Sequence, residues 1–174
     1  LPEQVTALLT ALQSPPRLAA HLRAVHDVAC QIVDWVEQYP ALHVDRDAVL
    51  FGAATHDIGK IRHLDELSGP GSRHEQAGYE LLLEQGVEEG LARFARTHAS
   101  WGEADIGIND LLVSLADKIW KAKRVPDLEQ LVVDRLAAAT GRQPWDVFMA
   151  LDDVLDRIAA GADHRLAFQS SYPI

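Results

Sequence analysis

Apolar residues recur at three- and four-residue steps along most of this chain, the spacing that gathers them on one face of an α-helix. The clearest run is Leu18, Leu22, Val25, Ala29, Ile32, Val33 and Val36. It predicts a long helix over 17–38, stopped by Pro40. A shorter helix over 3–13 ends at Pro15-Pro16. Asp45 is placed to cap a third over 46–57, and Gly59 to end it. Gly59, Gly69, Pro70, Gly71 and Ser72 mark 58–72 as a loop of functional length. Helices are predicted over 73–85, 88–99, 109–124, 127–140 and 144–160, and the last dozen residues read as irregular. Strand alternation never runs beyond a few residues, and there is no repeat or linker. The expected fold class is all-α, with residues 1–174 forming one domain.

Several ionisable residues fall on apolar faces. Leu50, Ala53, Ala54 and Asp57 stand at i, i+3, i+4 and i+7, so Asp57 shares an apolar face and neighbours His56. Leu91, Phe94, Ala95 and His98 repeat the spacing. His74 lies with Ala77, Gly78 and Leu81, where Gly78 leaves space beside the imidazole. A lone inward histidine is most often a hydrogen-bonded core residue, and a lone aspartate can simply finish a helix. Four such residues converging from separate helices point instead to a metal, because burying an unpaired carboxylate is costly. Imidazole and carboxylate suit Fe, Mn, Co, Ni or Zn. His21 and His26 compete on the long helix, both at the edge of its apolar stripe. The helical wheel favours His21, which has Val25, Val28 and Ile32 on its side. His43, His63 and His164 fall in or near loops. Asp117 lies on a polar stripe with Asp110, Lys121 and Arg124, and by spacing alone reads as a solvated face.

Composition narrows the partners. The length of 174 residues, 48% hydrophobic and 24% charged, is that of an ordinary globular domain and excludes a disordered chain. A net charge of −10 opposes binding to a nucleic-acid duplex or an anionic membrane unless a local basic patch exists. The single cysteine, Cys30, has no internal disulfide partner, which fits a reducing compartment, and no basic neighbour activates it. No apolar run approaches the roughly 20 residues that cross a bilayer. No basic-then-apolar leader opens the chain, so a cytoplasmic location is expected. The only lysines are Lys60, Lys118, Lys121 and Lys123, each shortly after Asp57 or Asp117, with Arg62, Arg73 and Arg124 in the same segments. In so acidic a chain that concentration suggests an anion site, with phosphate the natural ligand.

In order along the chain these residues sit in HLRAV (His21), THDIGK (His56, Asp57), RHEQAGYELL (His74), RTHASW (His98) and SLADKI (Asp117). The ordered set resembles the HD-domain metal-dependent phosphohydrolases over about 17–124, with helices 127–160 packing on that core. The resemblance implies a helical bundle around a metal centre holding one or two divalent ions, among Fe, Mn, Co, Ni, Zn and Mg. It implies that His21, His56, Asp57 and Asp117 hold the first ion, favouring His21 over His26. It further implies that His74 and His98 serve a second, with Asp57 bridging, and that Lys60 faces phosphate. The chain lacks the GYP motif of the cyclic-di-GMP phosphodiesterase branch, and the single-metal 5′-nucleotidases lack the extra histidine pair. The layout is more similar to the small bacterial dinuclear members, including the symmetrical dinucleoside tetraphosphate hydrolases. The residues after His98 and Asp117 differ from that branch, so its substrate is not carried over.

The expected activity is metal-assisted hydrolysis of a phosphoester or phosphoanhydride in a nucleotide or small phosphorylated metabolite. Asp57 and Lys60 are the expected catalytic residues. Lys60, Arg73, Lys121 and Arg124 are the candidates for offsetting phosphoryl charge. Two other readings share the ligand set: a diiron HD-type oxygenase, and a non-catalytic metal-bound module that senses a nucleotide. The stripe Leu128, Leu131, Val132 and Leu136 either closes the domain or forms a homodimer contact.

Overall fold

The computed structural model describes residues 1–174. Helices α1 (Glu3–Ala11), α2 (Pro16–Val36) and α3 (Arg46–Thr55) come first. Two 3₁₀ turns, Ile58–Ile61 and Leu64–Leu67, lead into α4 (Arg73–Glu84). The short α5 (Glu89–Ala92) and α6 (Phe94–Thr97) precede α7 (Ile108–Ile119), α8 (Pro126–Thr140), α9 (Pro144–Ala159) and α10 (Ala162–Ser170). The all-α expectation holds, in one domain.

Local chemistry explains most boundaries. Prolines at the first helical position start α2, α8 and α9. The Asp45 side chain accepts from the Ala48 N–H at 3.0 Å and caps α3. Gly141, at φ +69°, ends α8 in the left-handed region. The apolar stripe of α2 is buried as its spacing predicts.

Two apolar cores flank α2 and α3. The larger joins the C-terminal part of α2 to one side of α3 and to α7, α8 and α9. The smaller joins α1, Leu18 and Leu22 of α2, Phe51 and Ala54 of α3, and Leu81 and Leu82 of α4. Leu128, Val132 and Leu136 are fully buried within this chain, so their stripe closes the larger core.

Four boundaries differ from expectation. Helix α3 stops at Thr55, and Asp57 adopts φ −101°, ψ 9° as the chain enters a 3₁₀ turn. The 88–99 segment breaks at Arg93 into two short helices. Helix α7 ends at Ile119 rather than at 124, because Ala122 takes φ +60°. The Ala122 N–H donates to the Ile119 carbonyl and the Lys123 N–H to the Lys118 carbonyl, closing the helix. The C-terminal segment expected to be irregular contains α10. Only Ala162 of that helix is buried, so it lacks the apolar stripe by which sequence reveals a helix.

Gly59 does not end a helix. A Cβ there would lie 2.0 Å from the His74 carbonyl oxygen and 2.4 Å from the Gly78 nitrogen. The two glycines therefore let the turn after Asp57 lie directly on α4, and Gly78 makes room for that backbone rather than for an imidazole. Gly59→Ala should lower stability by about 1–3 kcal/mol or more through overpacking against backbone. Urea unfolding of the metal-free variant measures this.

Candidate metal centre

The junction of the two cores collects the ionisable residues. His56 is the C-cap of α3 and His98 that of α6. Both donate Nδ1–H to the carbonyl three residues back, Ala53 and Ala95, at 2.9 Å. Those carbonyls belong to the last helical turn, where intrahelical donors run out. The His74 Nδ1–H donates to Glu66 at 2.6 Å, and the His21 Nδ1–H to the Gln169 side-chain oxygen at 3.0 Å. Each acceptor fixes the tautomer, leaving four unprotonated Nε2 atoms turned inward in the neutral rings.

These nitrogens surround one carboxylate. Asp57 Oδ1 lies 3.0 Å from His74 Nε2 and 3.6 Å from His98 Nε2. Its Oδ2 lies 3.2 Å from His21 Nε2 and 3.8 Å from His56 Nε2. His21–His56–Asp57 and Asp57–His74–His98 each bring their donor atoms within 4.8 Å of one another, close enough to hold a metal ion. Asp117 adjoins the first group, with Oδ1 3.3 Å from His56 Nε2.

The donor chemistry fits a cation. The Nε2 atoms of His21 and His56 are 3.4 Å apart, and with both protons on Nδ1 two lone pairs face each other. A cation, or a proton, must stand between such atoms. Burial opposes the charge on His56, but Asp57 and Asp117 overcome it and raise its pKa. Burial also opposes protonation of His74, outweighed by Asp57. Burial and the neighbouring His56 push His98 down to about 4. Asp57 and Asp117 are held well below the carboxylate range despite burial, with His56 the strongest opposing influence on each.

A cavity of about 440 Å³ opens on the cluster. His21, Asp57, His74, His98 and Asp117 line it, with His56 buried behind. Lys60, Lys118 and Lys121 of the lysine-rich segments line it, and so does Arg17, which no spacing or motif singles out. Lys60 pairs with Asp57 and Lys118 with Asp117, each at 2.6 Å. His26 lies elsewhere, beside Asp27 and Cys30.

Two phosphate candidates are placed away from the cavity wall by acidic partners. Arg73 is held by Glu66 and Asp65 and does not line the cavity. Arg124 is held by Glu129, Asp152 and Asp156, joining α8 to α9. Its expected place on the Asp117 face required α7 to reach 124, and Ala122 turns the chain first. Sequence reasoning also missed Glu66, which is 3% exposed within the presumed loop. Its carboxylate accepts from the Arg73 and His74 N–H groups as well as from the His74 ring, standing in for the cap that Ser72 does not supply. Burial opposes its ionisation, but the His74 and Arg73 hydrogen bonds hold its pKa down at about 2.

The sequence pattern of the HD domain matches residues 18–121. The chain belongs to the HD-domain family. HD domains bind divalent metals and are commonly metal-dependent phosphohydrolases, though not uniformly enzymes. No curated protein and no solved structure matches the chain. The HD segment carries every donor of both groups, whereas Gln169 lies beyond it. No helix is long and apolar enough to cross a membrane.

The raised pKa values of His56 and His74 predict an unusual pH response. Their contribution to metal-free stability is whole below the unfolded value of about 6.5 and is lost as pH rises through the folded values. The opposite contribution of His98 changes only between about 4 and about 6.5. As pH rises above about 6.5 the metal-free Tm should therefore fall, while stabilisation by added Mn²⁺ should grow as protons cease to compete. Calorimetry with and without the ion checks both slopes.

Proposed function

We propose that this chain is a metal-dependent phosphohydrolase acting on a small phosphorylated substrate, a nucleotide or metabolite. One observation carries the reading: a single carboxylate, Asp57, serves two histidine pairs on the wall of a cavity that also presents Lys60, Lys118, Lys121 and Arg17. His21, His56 and Asp57, with Asp117 adjoining, would hold one divalent ion, and Asp57, His74 and His98 a second. A bound divalent ion supplies Lewis-acid charge and lowers the pKa of water.

The protein's own groups bind and orient the substrate. Lys121 and Arg17 have no carboxylate partner, so their charge is available to a substrate phosphate in a chain of net charge −10. Lys60 and Lys118 stand beside the carboxylates, where ammonium groups can offset charge growing on phosphoryl oxygens. The Nδ1 acceptors hold the imidazoles in place, so the donors need no rearrangement during turnover.

Protein loaded with Mn²⁺ or Fe²⁺ should release phosphate from a member of a phosphomonoester, nucleotide and dinucleotide panel, equally with and without dioxygen. Chelation should abolish this release. Asp57→Asn should lose metal and reduce turnover on the order of 10³-fold. Lys121→Ala should raise KM about tenfold with kcat little changed, as for a contact made equally in ground and transition states. Full activity in Asp57→Asn overturns the assignment, and a requirement for dioxygen replaces it with oxygenase chemistry.

A further inference from the structure

Each of the four inward histidines has its Nδ1–H fixed by an acceptor, but the acceptors differ in origin. Those of His56 and His98 are backbone carbonyls of their own helices, and that of His74 is Glu66, eight residues away. The acceptor of His21 is Gln169, 148 residues away on α10 and outside the segment that matches the HD domain. His21 also sits mid-helix in α2, where neighbouring backbone carbonyls are already engaged in the helical ladder. It therefore needs an acceptor from elsewhere in the fold.

The tail is seated so as to provide one. The Arg17 N–H donates to the Pro173 carbonyl at 3.0 Å and the Arg17 Nε–H to the Tyr172 carbonyl at 2.9 Å, fastening the C-terminus to the first turn of α2. Arg165 of α10 donates to the carbonyls of Trp120 and Ile158 at 2.7 and 2.6 Å. Trp120 and His21 pack in a T-shaped arrangement, with centroids 4.8 Å apart. With almost no apolar face of its own, α10 is tied to Trp120 and Ile158 by Arg165, the residues just after it are tied to Arg17, and Gln169 lines the cavity with His21.

We propose that Gln169 is a positioning residue of the metal centre: its side-chain oxygen holds His21 with Nε2 toward Asp57, so α10 completes a site whose donors all lie in the HD segment. It acts on the His21–His56–Asp57 group and leaves Asp57–His74–His98 untouched. The inference rests on the two-metal reading above.

Mn²⁺ titration of the 174-residue chain tests it, with Gln169→Leu removing the acceptor at similar size and Gln169→Glu restoring one. Wild type should bind two ions. In Gln169→Leu one site should weaken about 10–100-fold while the other keeps its affinity. Gln169→Glu should recover wild-type affinity or better, and the metal-free Tm of Gln169→Leu should fall by no more than the loss of one hydrogen bond explains. In the Zn²⁺-loaded protein, the His21 Nδ1–H should be a slowly exchanging NMR signal in wild type and Gln169→Glu, and should be lost in Gln169→Leu. Equal weakening of both sites together with a larger fall in metal-free Tm would show that α10 only supports the fold, and would overturn the inference. Unchanged binding in Gln169→Leu would overturn it alone, leaving the metal centre intact. A wild-type chain that binds no metal would overturn the two-metal reading and this inference together.

Discussion

The Asp57 carboxylate meets four inward imidazole nitrogens and an ammonium group at the junction of two apolar cores, and much of the fold serves that meeting. A buried anion among lone pairs is unfavourable unless a cation or protons join it. The surrounding structure does not relieve this by separating the groups. It holds them together: α2 and α3 bring His21 and His56 from between the cores, and the Gly59–Gly78 approach brings α4 and His74 onto the turn that carries Asp57. Asp57 itself leaves the helix in a sparsely populated backbone region, a conformation often found at functional residues.

Helix ends do much of the aiming. The terminal carbonyls of α3 and α6 lack intrahelical donors and accept from the very histidines that cap those helices. At the start of α4 the relation is reversed, because Glu66 serves the free N–H groups and the His74 ring with one carboxylate. Unsatisfied backbone groups and ring tautomers are thus settled by the same hydrogen bonds. Charge is divided in a related way. Arg73 and Arg124 are absorbed by acidic partners that fasten the structure, while Lys121 and Arg17 face the cavity without a carboxylate partner.

The local chemistry was legible wherever it followed helical spacing. The periodicity of α2, the Asp45 cap and the inward face of His74 follow from residue order, and Asp57 and His98 are buried as their spacing implied although α3 stops short of Asp57 and the 88–99 segment breaks at Arg93. Asp117 was not legible this way. Its polar stripe reads as a solvated surface, yet it is 7% exposed, because α7 lies between α2, α3 and α8 with hardly any free face. The resemblance to the HD family, rather than the spacing, marked Asp117 for the site. Glu66 sat in a glycine-rich stretch where no period exists to be read. Gln169 lay in a helix without an apolar stripe.

Spacing, caps and breakers determined the helical class, the inward positions of Asp57, His74 and His98 and the lysine-rich segments beside them, because they act over a few residues, and the ordered motifs added His21 and Asp117 through the family resemblance. Tertiary structure decided which nitrogen of each histidine turns inward, which cations remain without carboxylate partners, and that the chain's last helix reaches the first of the donors. Those outcomes depend on contacts between residues far apart in the chain, such as Gln169 with His21 and Gly59 with Gly78. Periodicity carries no information about such pairs, since it records which side of a helix is buried and not what lies against it.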